Sequence, residues 1–340
     1  MSISFHVLGK PAMDNALLVD IHSGQAVERL LFDCGEACLQ GLTVAQIRGI
    51  DHVFFSHLHM DHVAGFDTFF RCNFNRTAKP NRLWGPPRTA SILQHRFRGY
   101  LWNLYERMSA SWLISEIHES QIVTTRFELE EAFADAHWEG AEPHKGPIVA
   151  SAGFTVEAFT MDHRTPCIAY LVREKPRWNV NTDRLAELGL HPGPWLRELK
   201  DGNATRGAMG EQGMEDPMEE LRRELLVESH GESIAYLTDF LLDERAMEGL
   251  STALKGCRTL VCEAQYRQKD LQLAKKHFHM TTVLSATLAE RVHARELVLF
   301  HLSDRYDRAD WMEMLLEARE IFPNTRYPAG WNLEPAGERG

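Results

Sequence analysis

The chain has 340 residues, enough for one large core or two modest ones, with the 44% hydrophobic and 25% charged residues of an ordinary globular protein. Its net charge of −11 argues against a broadly basic nucleic-acid-binding surface but is compatible with a local basic groove. No apolar run reaches the roughly 18 residues of a membrane span. The start Met1-Ser2-Ile3-Ser4-Phe5-His6 lacks the charged and apolar regions of a secretion signal, so a cytoplasmic protein is expected.

In chain order, residues 5–9, 16–21 and 28–33 are short apolar runs broken by Gly, Pro, Asn and Asp, and they predict strands. Residues 43–49 suit a short helix. Residues 51–56 form a compact apolar run, predicting a buried strand that ends at a histidine cluster. Ile92, Leu93, Phe97, Leu101, Leu104 and Tyr105 recur at helical spacing and predict a helix from 88 to about 110. Strands are expected over 112–117, 122–127, 154–160 and 167–173, the last two flanking His163. The segment 201–232 is rich in Gly and Met and holds nine acidic residues against three basic ones. It reads as a mobile insertion with a short helix near 218–227. The last third alternates: strands over 234–238, 259–262 and 297–300, helices over 281–292 and 309–321. Cys34, Cys38, Cys72, Cys167, Cys257 and Cys262 are scattered without a CxxC pair, so reduced, mostly buried thiols are expected.

The chemistry is concentrated in His57-Leu58-His59-Met60-Asp61-His62. His57 and His59 are two residues apart and share a side in an extended stretch. Asp61 and His62 follow as the chain turns toward a helix. Four nitrogen and oxygen donors in six residues suit two adjacent metals better than one, and zinc accepts both donor types. Three more candidates interrupt or end apolar runs: His163, Asp239 and His301. Each has a bland alternative taken singly, such as a cap or a polar strand end. Together they supply the further donors that two metals require.

On these residues the chain resembles the metallo-β-lactamase superfamily, and within it the ribonuclease Z group, from about residue 32 to 306. His57 to His62 match the superfamily metal motif. Phe32-Asp33-Cys34-Gly35-Glu36 is similar to the preceding strand-turn, Glu263-Ala264 to the Glu-Ala motif, and His279-Met280-Thr281 to the His-Ser-Thr motif. His191-Pro192-Gly193-Pro194 resembles the group's Pro-Gly-Pro element, and His301-Leu302-Ser303-Asp304-Arg305-Tyr306 its His-x-Ser-x-Arg-Tyr ending. The resemblance implies an α/β fold, an αββα sandwich with two mixed sheets between helical layers. It implies one such domain over 1–340 with an inserted arm at about 176–232. It further implies two zinc ions, with manganese or iron fitting similar donors. His57, His59 and His163 would hold one ion, Asp61, His62 and His301 the other, and Asp239 would bridge. The implied activity is phosphodiester cleavage by metal-bound hydroxide, in some members at the 3′ end of tRNA precursors, by a homodimer.

Within that scheme Asp61 is the candidate to orient the hydroxide, and His279, steadied by Glu263, to protonate the leaving oxygen. Arg305 and Tyr306 are candidates for phosphate contact. The sequence departs from the group at Met60, where Gly is usual, at Thr238-Asp239-Phe240, where Gly-Asp-Thr is usual, and in Gly9 to Asp14, which replace a glycine-rich loop. The acidic arm is a poor clamp for phosphates. A hydrolase of a small ester, lactone or sulfate ester is therefore the second reading, and a non-catalytic metal-stabilised binding protein the third.

Overall fold

The structure is a computed structural model that describes residues 2–23, 26–103, 108–201, 217–229 and 231–333. Its strands, in chain order, are β1 (Ser2–Gly9), β2 (Asn15–His22), β3 (Val27–Phe32), β4 (His52–Phe54), β5 (Asn81–Gly85), β6 (Ser111–Ile117), β7 (Gln121–Glu128) and β8 (His137–Pro143). Then come β9 (Val149–Ala150), β10 (Phe154–Asp162), β11 (Pro166–Glu174), β12 (Arg177–Val180), β13 (Leu226–Ser229), β14 (Ser233–Leu237), β15 (Thr259–Glu263), β16 (Glu296–Phe300) and β17 (Thr325–Arg326). Among the described residues, β1 to β8 form one sheet in sequence order, and a second sheet runs β17-β16-β15-β14-β11-β10-β9. Both are mixed. The run β3 to β6 is parallel between antiparallel margins, and β14 to β17 is parallel while β11 pairs with β14 antiparallel.

Period-two alternation sorts the side chains into layers. Leu17, Val19, Ile21, Leu30, Phe32 and Phe54 pack toward the second sheet, where Phe32 and Phe54 meet Tyr170 at ring-centroid distances of 5.4 and 5.3 Å. Ala16, Leu18, Leu31, Val53 and Phe55 face the other way, onto Ile47, Phe66, Phe69, Phe70, Leu93 and Phe97 of the helices Val44–Gly49, Phe66–Asn73 and Thr89–Phe97. Behind the second sheet lie the helices Glu244–Ala253, Thr282–Arg291 and Arg308–Arg319. This is the αββα sandwich expected from the sequence. Each fully buried Phe or Leu contributes roughly 1.5–3 kcal/mol against exposure.

One helix is shorter than its periodicity predicts: the helix expected over 88–110 stops at Phe97. Arg98 caps it and Gly99 follows, and the Trp102 indole N–H donates to the Phe97 carbonyl at 2.8 Å, occupying an acceptor that another turn would have used. Leu101, counted on the apolar face, is 93% exposed, while Leu104 and Tyr105 lie outside the described residues.

Contacts divide the chain into two compact units, Met1–Arg173 with Glu232–Gly340, and Glu174–Gly231. The second unit pairs β12 with β13 antiparallel and gathers Leu185, Leu199, Leu225 and Leu226 into its own small core. The helix expected near 218–227 is Pro217–Leu225, after which the chain enters β13. Residues 202–216, nearly half of the acidic segment, lie outside the described residues. The six cysteines are free, and all but Cys72 are buried.

Candidate metal centre

The first half of the centre is built where β4 ends. His59 takes the N-cap position of the short helix Met60–Val63, which places Asp61 and His62 in a single turn. That turn lies directly on the 34–35 backbone: Cys34 N–H donates to His62 O at 2.8 Å, and Gly65 N–H to Cys34 O at 2.9 Å. The approach requires glycine on both sides. A Cβ on Gly65 would stand 2.1 Å from Gly35 O, and one on Gly35 would stand 2.4 Å from Asp61 O.

The second half comes from the other sheet. His163 follows β10, Asp239 stands two residues beyond β14, Glu263 ends β15 and His301 follows β16. These elements deliver their polar residues to one edge of the sandwich. Donor atoms of His57, His59 and His163 lie within 4.8 Å of one another, as do those of Asp61, His62, Asp239 and His301. A third grouping, Asp239, Glu263, His279 and His301, shares two members with the second. All seven residues expected to ligate metal are thus brought together in two adjoining clusters.

Neighbouring groups orient the rings. Asp33, fully buried and left-handed at φ 57°, accepts from Ser56 N–H and Oγ–H at 2.7 Å each, from His62 Nδ1–H at 2.8 Å and from the Tyr236 hydroxyl at 2.8 Å. His62 therefore keeps Nε2 for the centre. His163 Nδ1–H donates to Phe278 O at 2.9 Å, and His57 Nδ1 meets Ser56 Oγ at 3.0 Å. Asn15 holds the last strand end: its Oδ1 accepts from His301 N–H at 3.2 Å, while its amide donates to Lys10 O and Asp14 O. Neither Asp33 nor Asn15 carries a sequence signal of this role. Asp33 lies in the quoted strand-turn, but its partners come from positions 23 to 203 residues away.

A cation fits this donor set. His62 Nε2 and His301 Nδ1 are buried and have no hydrogen-bond partner among the described residues. Burial pulls both imidazoles down, yet the Asp239 charge outweighs it, holding His62 well above the ordinary histidine value and pushing His301 up to about 10. Buried rings that draw protons mark a centre whose carboxylates exceed the positive charge its side chains provide. His57, by contrast, is held below the ordinary value by burial. Burial raises Asp61, but the His301 and His62 imidazoles, 3.7 and 3.4 Å from its carboxylate, prevail and hold it well below the usual carboxylate range.

Beside the clusters opens a pocket of about 460 Å³ lined by His59, His163, Tyr266, His279 and Arg305, with Arg164 and His277 at its rim. Glu263 is fully buried, and its Oε2 accepts from His279 Nδ1–H at 2.9 Å while Oε1 accepts from Met280 N–H at 2.8 Å. Burial lowers His279, but the Glu263 and Asp239 charges reverse this and raise it above the ordinary histidine value. Arg305, the candidate for phosphate contact, lines the pocket. Tyr306 does not: it is buried, its hydroxyl donating to Asp270 Oδ2 at 2.5 Å and accepting from Arg267 N–H at 3.2 Å. Arg164, Tyr266 and His277 were not anticipated.

An αββα sandwich with a histidine–carboxylate double cluster at its strand ends defines a metal-dependent hydrolase of the metallo-β-lactamase superfamily. A family model described as Anti-Pycsar protein Apyc1 matches residues 8–165. The chain is 49% identical over 329 residues to ribonuclease Z of Deinococcus radiodurans, which covers 97% of this chain and 98% of that protein. It belongs to the ribonuclease Z family. The fold is shared with the metallo-β-lactamase fold protein YhfI of Bacillus subtilis (TM-score 0.57, 15% identity, 96% of each chain). It is also shared with the short form of human tRNase Z (TM-score 0.50, 17% identity, 90% of this chain and 94% of that one).

Proposed function

We propose that the chain is a dinuclear zinc phosphodiesterase that cleaves RNA and trims tRNA precursors at the 3′ end. The observation that carries this reading is the 49% identity, across 97% of the chain, to a ribonuclease Z. His57, His59 and His163 would hold one ion, Asp61, His62 and His301 the other, and Asp239 would reach both. Ions of this kind supply a nucleophilic water at neutral pH and offset the charge of a phosphoryl group. Manganese or iron suits the same donors.

The chain's own residues supply the rest. Asp61, held ionised by His301 and His62, accepts a hydrogen bond from the attacking water and aims it. His279 donates a proton from Nε2 to the leaving oxygen, because Glu263 fixes its Nδ1–H. Arg305 binds phosphate. Tyr306 acts at one remove, its anchored hydroxyl holding the turn from which Arg305 projects. Two guanidinium groups, Arg164 and Arg305, line the pocket and favour a charged diester over an uncharged ester or lactone. Residues 176–232 form an arm inserted in a single metallo-β-lactamase-like domain, and the protein works as a cytoplasmic homodimer, which light scattering and cell fractionation test.

The deciding experiment offers the zinc-loaded protein a 3′-extended tRNA precursor and bis(4-nitrophenyl) phosphate. Both are expected to be cleaved, and His57→Ala is expected to abolish both activities. Cleavage of the small diester alone removes tRNA from the reading. Activity on carboxylic esters, with none on either diester, overturns it.

A further inference from the structure

The structure holds five buried tyrosines among the described residues, and four of them have a bonded hydroxyl. Tyr170 donates to Phe55 O at 2.7 Å, Tyr236 to Asp33 at 2.8 Å, Tyr306 to Asp270 at 2.5 Å and Tyr327 to Trp311 O at 2.7 Å. This is the rule for a buried phenol, whose apolar ring is stable inside only when its polar end is satisfied. The fifth, Tyr266, is 4% exposed, and its hydroxyl has no protein partner among the described residues and is open to solvent rather than sealed in the core. It lines the pocket beside the metal centre.

The neighbours of the Tyr266 ring are the candidate proton donor and the candidate phosphate ligand. Its ring packs against His279, with centroids 5.8 Å apart, and His279 in turn packs against His163 at 5.0 Å. The Arg305 guanidinium carbon also stands over the ring, 4.9 Å from its centroid. Arg305 spends only Nε on the protein, donating to Ser303 Oγ at 3.1 Å, and its remaining N–H groups meet no carboxylate among the described residues. The backbone around Tyr266 is fixed: its N–H donates to Met280 O at 3.2 Å and its carbonyl accepts from Thr282 N–H at 3.0 Å. The backbone holds the ring in place, and the hydroxyl has no protein partner among the described residues. Tyr266 lines the same pocket as His279, the proposed proton donor, and Arg305.

We propose that Tyr266 is a substrate-contacting residue, its hydroxyl donating a hydrogen bond to a non-bridging oxygen of the phosphate that Arg305 holds by charge. The proposal rests on the phosphodiesterase reading above and adds the residue that fixes the phosphate's orientation toward His279. A guanidinium on an exposed stem attracts an anion from several directions, whereas a hydroxyl on an immobile ring sets one. Burial pushes the Tyr266 phenol above its ordinary value, so it remains a donor at working pH.

The test compares zinc-loaded wild type with Tyr266→Phe, which removes one oxygen and keeps the ring under Arg305. Metal content and thermal unfolding serve as structural controls. The variant is expected to keep both, to lose about 10- to 100-fold in kcat/KM on bis(4-nitrophenyl) phosphate, and to bind inorganic phosphate about 10-fold more weakly by calorimetric titration. An active wild type, with a Tyr266→Phe variant that matches it in both kcat/KM and phosphate affinity, overturns the proposal alone. A wild type that cleaves no phosphodiester overturns the reading beneath it and the proposal together. A variant that loses its metal or its folded state shows that the hydroxyl is structural, and also overturns it.

Discussion

Replacing Asp33 by Asn tests whether the centre depends on a carboxylate that no metal would touch. Asp33 accepts four hydrogen bonds at 2.7–2.8 Å, and asparagine offers one oxygen where aspartate has two. Its amide then faces donors. The Ser56 and Tyr236 hydroxyls can rotate away, but the Ser56 backbone N–H and the His62 ring cannot. Losing about two charge-assisted bonds, each worth roughly 1.5–3 kcal/mol, predicts a destabilisation of about 3–6 kcal/mol. With no carboxylate to fix the Nδ1–H tautomer, Nε2 of His62 is no longer held toward the centre. Affinity for the ion in that half should fall about 10- to 100-fold. Urea unfolding of the chelator-stripped protein measures the first effect, and competition with a colorimetric zinc chelator measures the second. If Asp33→Asn unfolds within about 0.5 kcal/mol of wild type and binds both ions unchanged, the account of how His62 is oriented is wrong.

His279→Ala should keep its metal and lose about 10²–10⁴ in kcat, with Glu263→Gln losing less, since glutamine can still accept from His279 Nδ1–H; single-turnover kinetics with metal analysis check both. Gly65→Ala puts a methyl group 2.1 Å from Gly35 O, so the metal turn must lift from the 34–35 backbone; a loss of about 2–3 kcal/mol in urea unfolding is expected. His52 supplies a pH dependence. Its Nδ1 accepts from Trp84 Nε1–H at 3.0 Å, and burial, with the Arg82 charge, lowers its pKa to about 4. The unfolded chain takes up this proton near pH 6.5 and the folded chain only near 4, so the contribution is intact above 6.5 and lost on acidification through that window. His52→Asn keeps an acceptor for Trp84 without titrating. Its stability should fall less steeply than wild type between those pH values, by about 2–3 kcal/mol over the interval, and parallel pH–stability curves would count against the assignment.

Much of the centre was legible in the sequence because its donors sit where an apolar run stops. His57, Asp239 and His301 each follow a buried strand by no more than three residues, so period and punctuation alone locate them. The layers were legible for the same reason: Leu17 and Leu18 belong to opposite cores because adjacent strand residues face opposite ways. Long-range partners left no local mark. Nothing near His163 announces that Phe278 O, 115 residues on, will take its Nδ1–H, and nothing near position 15 announces His301. Tyr306 misled because proximity in sequence to Arg305 says nothing about the side its ring takes, and here the ring turns inward to Asp270. The helix end at Phe97 was hidden by an apolar spacing that continued past Gly99, while the competing Trp102 cap is a tertiary contact that spacing does not encode.

The contact between Asn15 and His301 spans 286 residues, nearly the whole chain. During synthesis this contact cannot form until the residues after β16, His301 among them, have left the ribosome. The cluster of Asp61, His62, Asp239 and His301 cannot close before then, whatever the supply of metal. A nascent chain halted before His301 would carry His57 and His59 with only part of their company. Metal captured by such a fragment would be held by fewer donors and released more readily. The order in which the ribosome delivers the residues thus delays full loading of the centre until almost all of the fold that protects it exists.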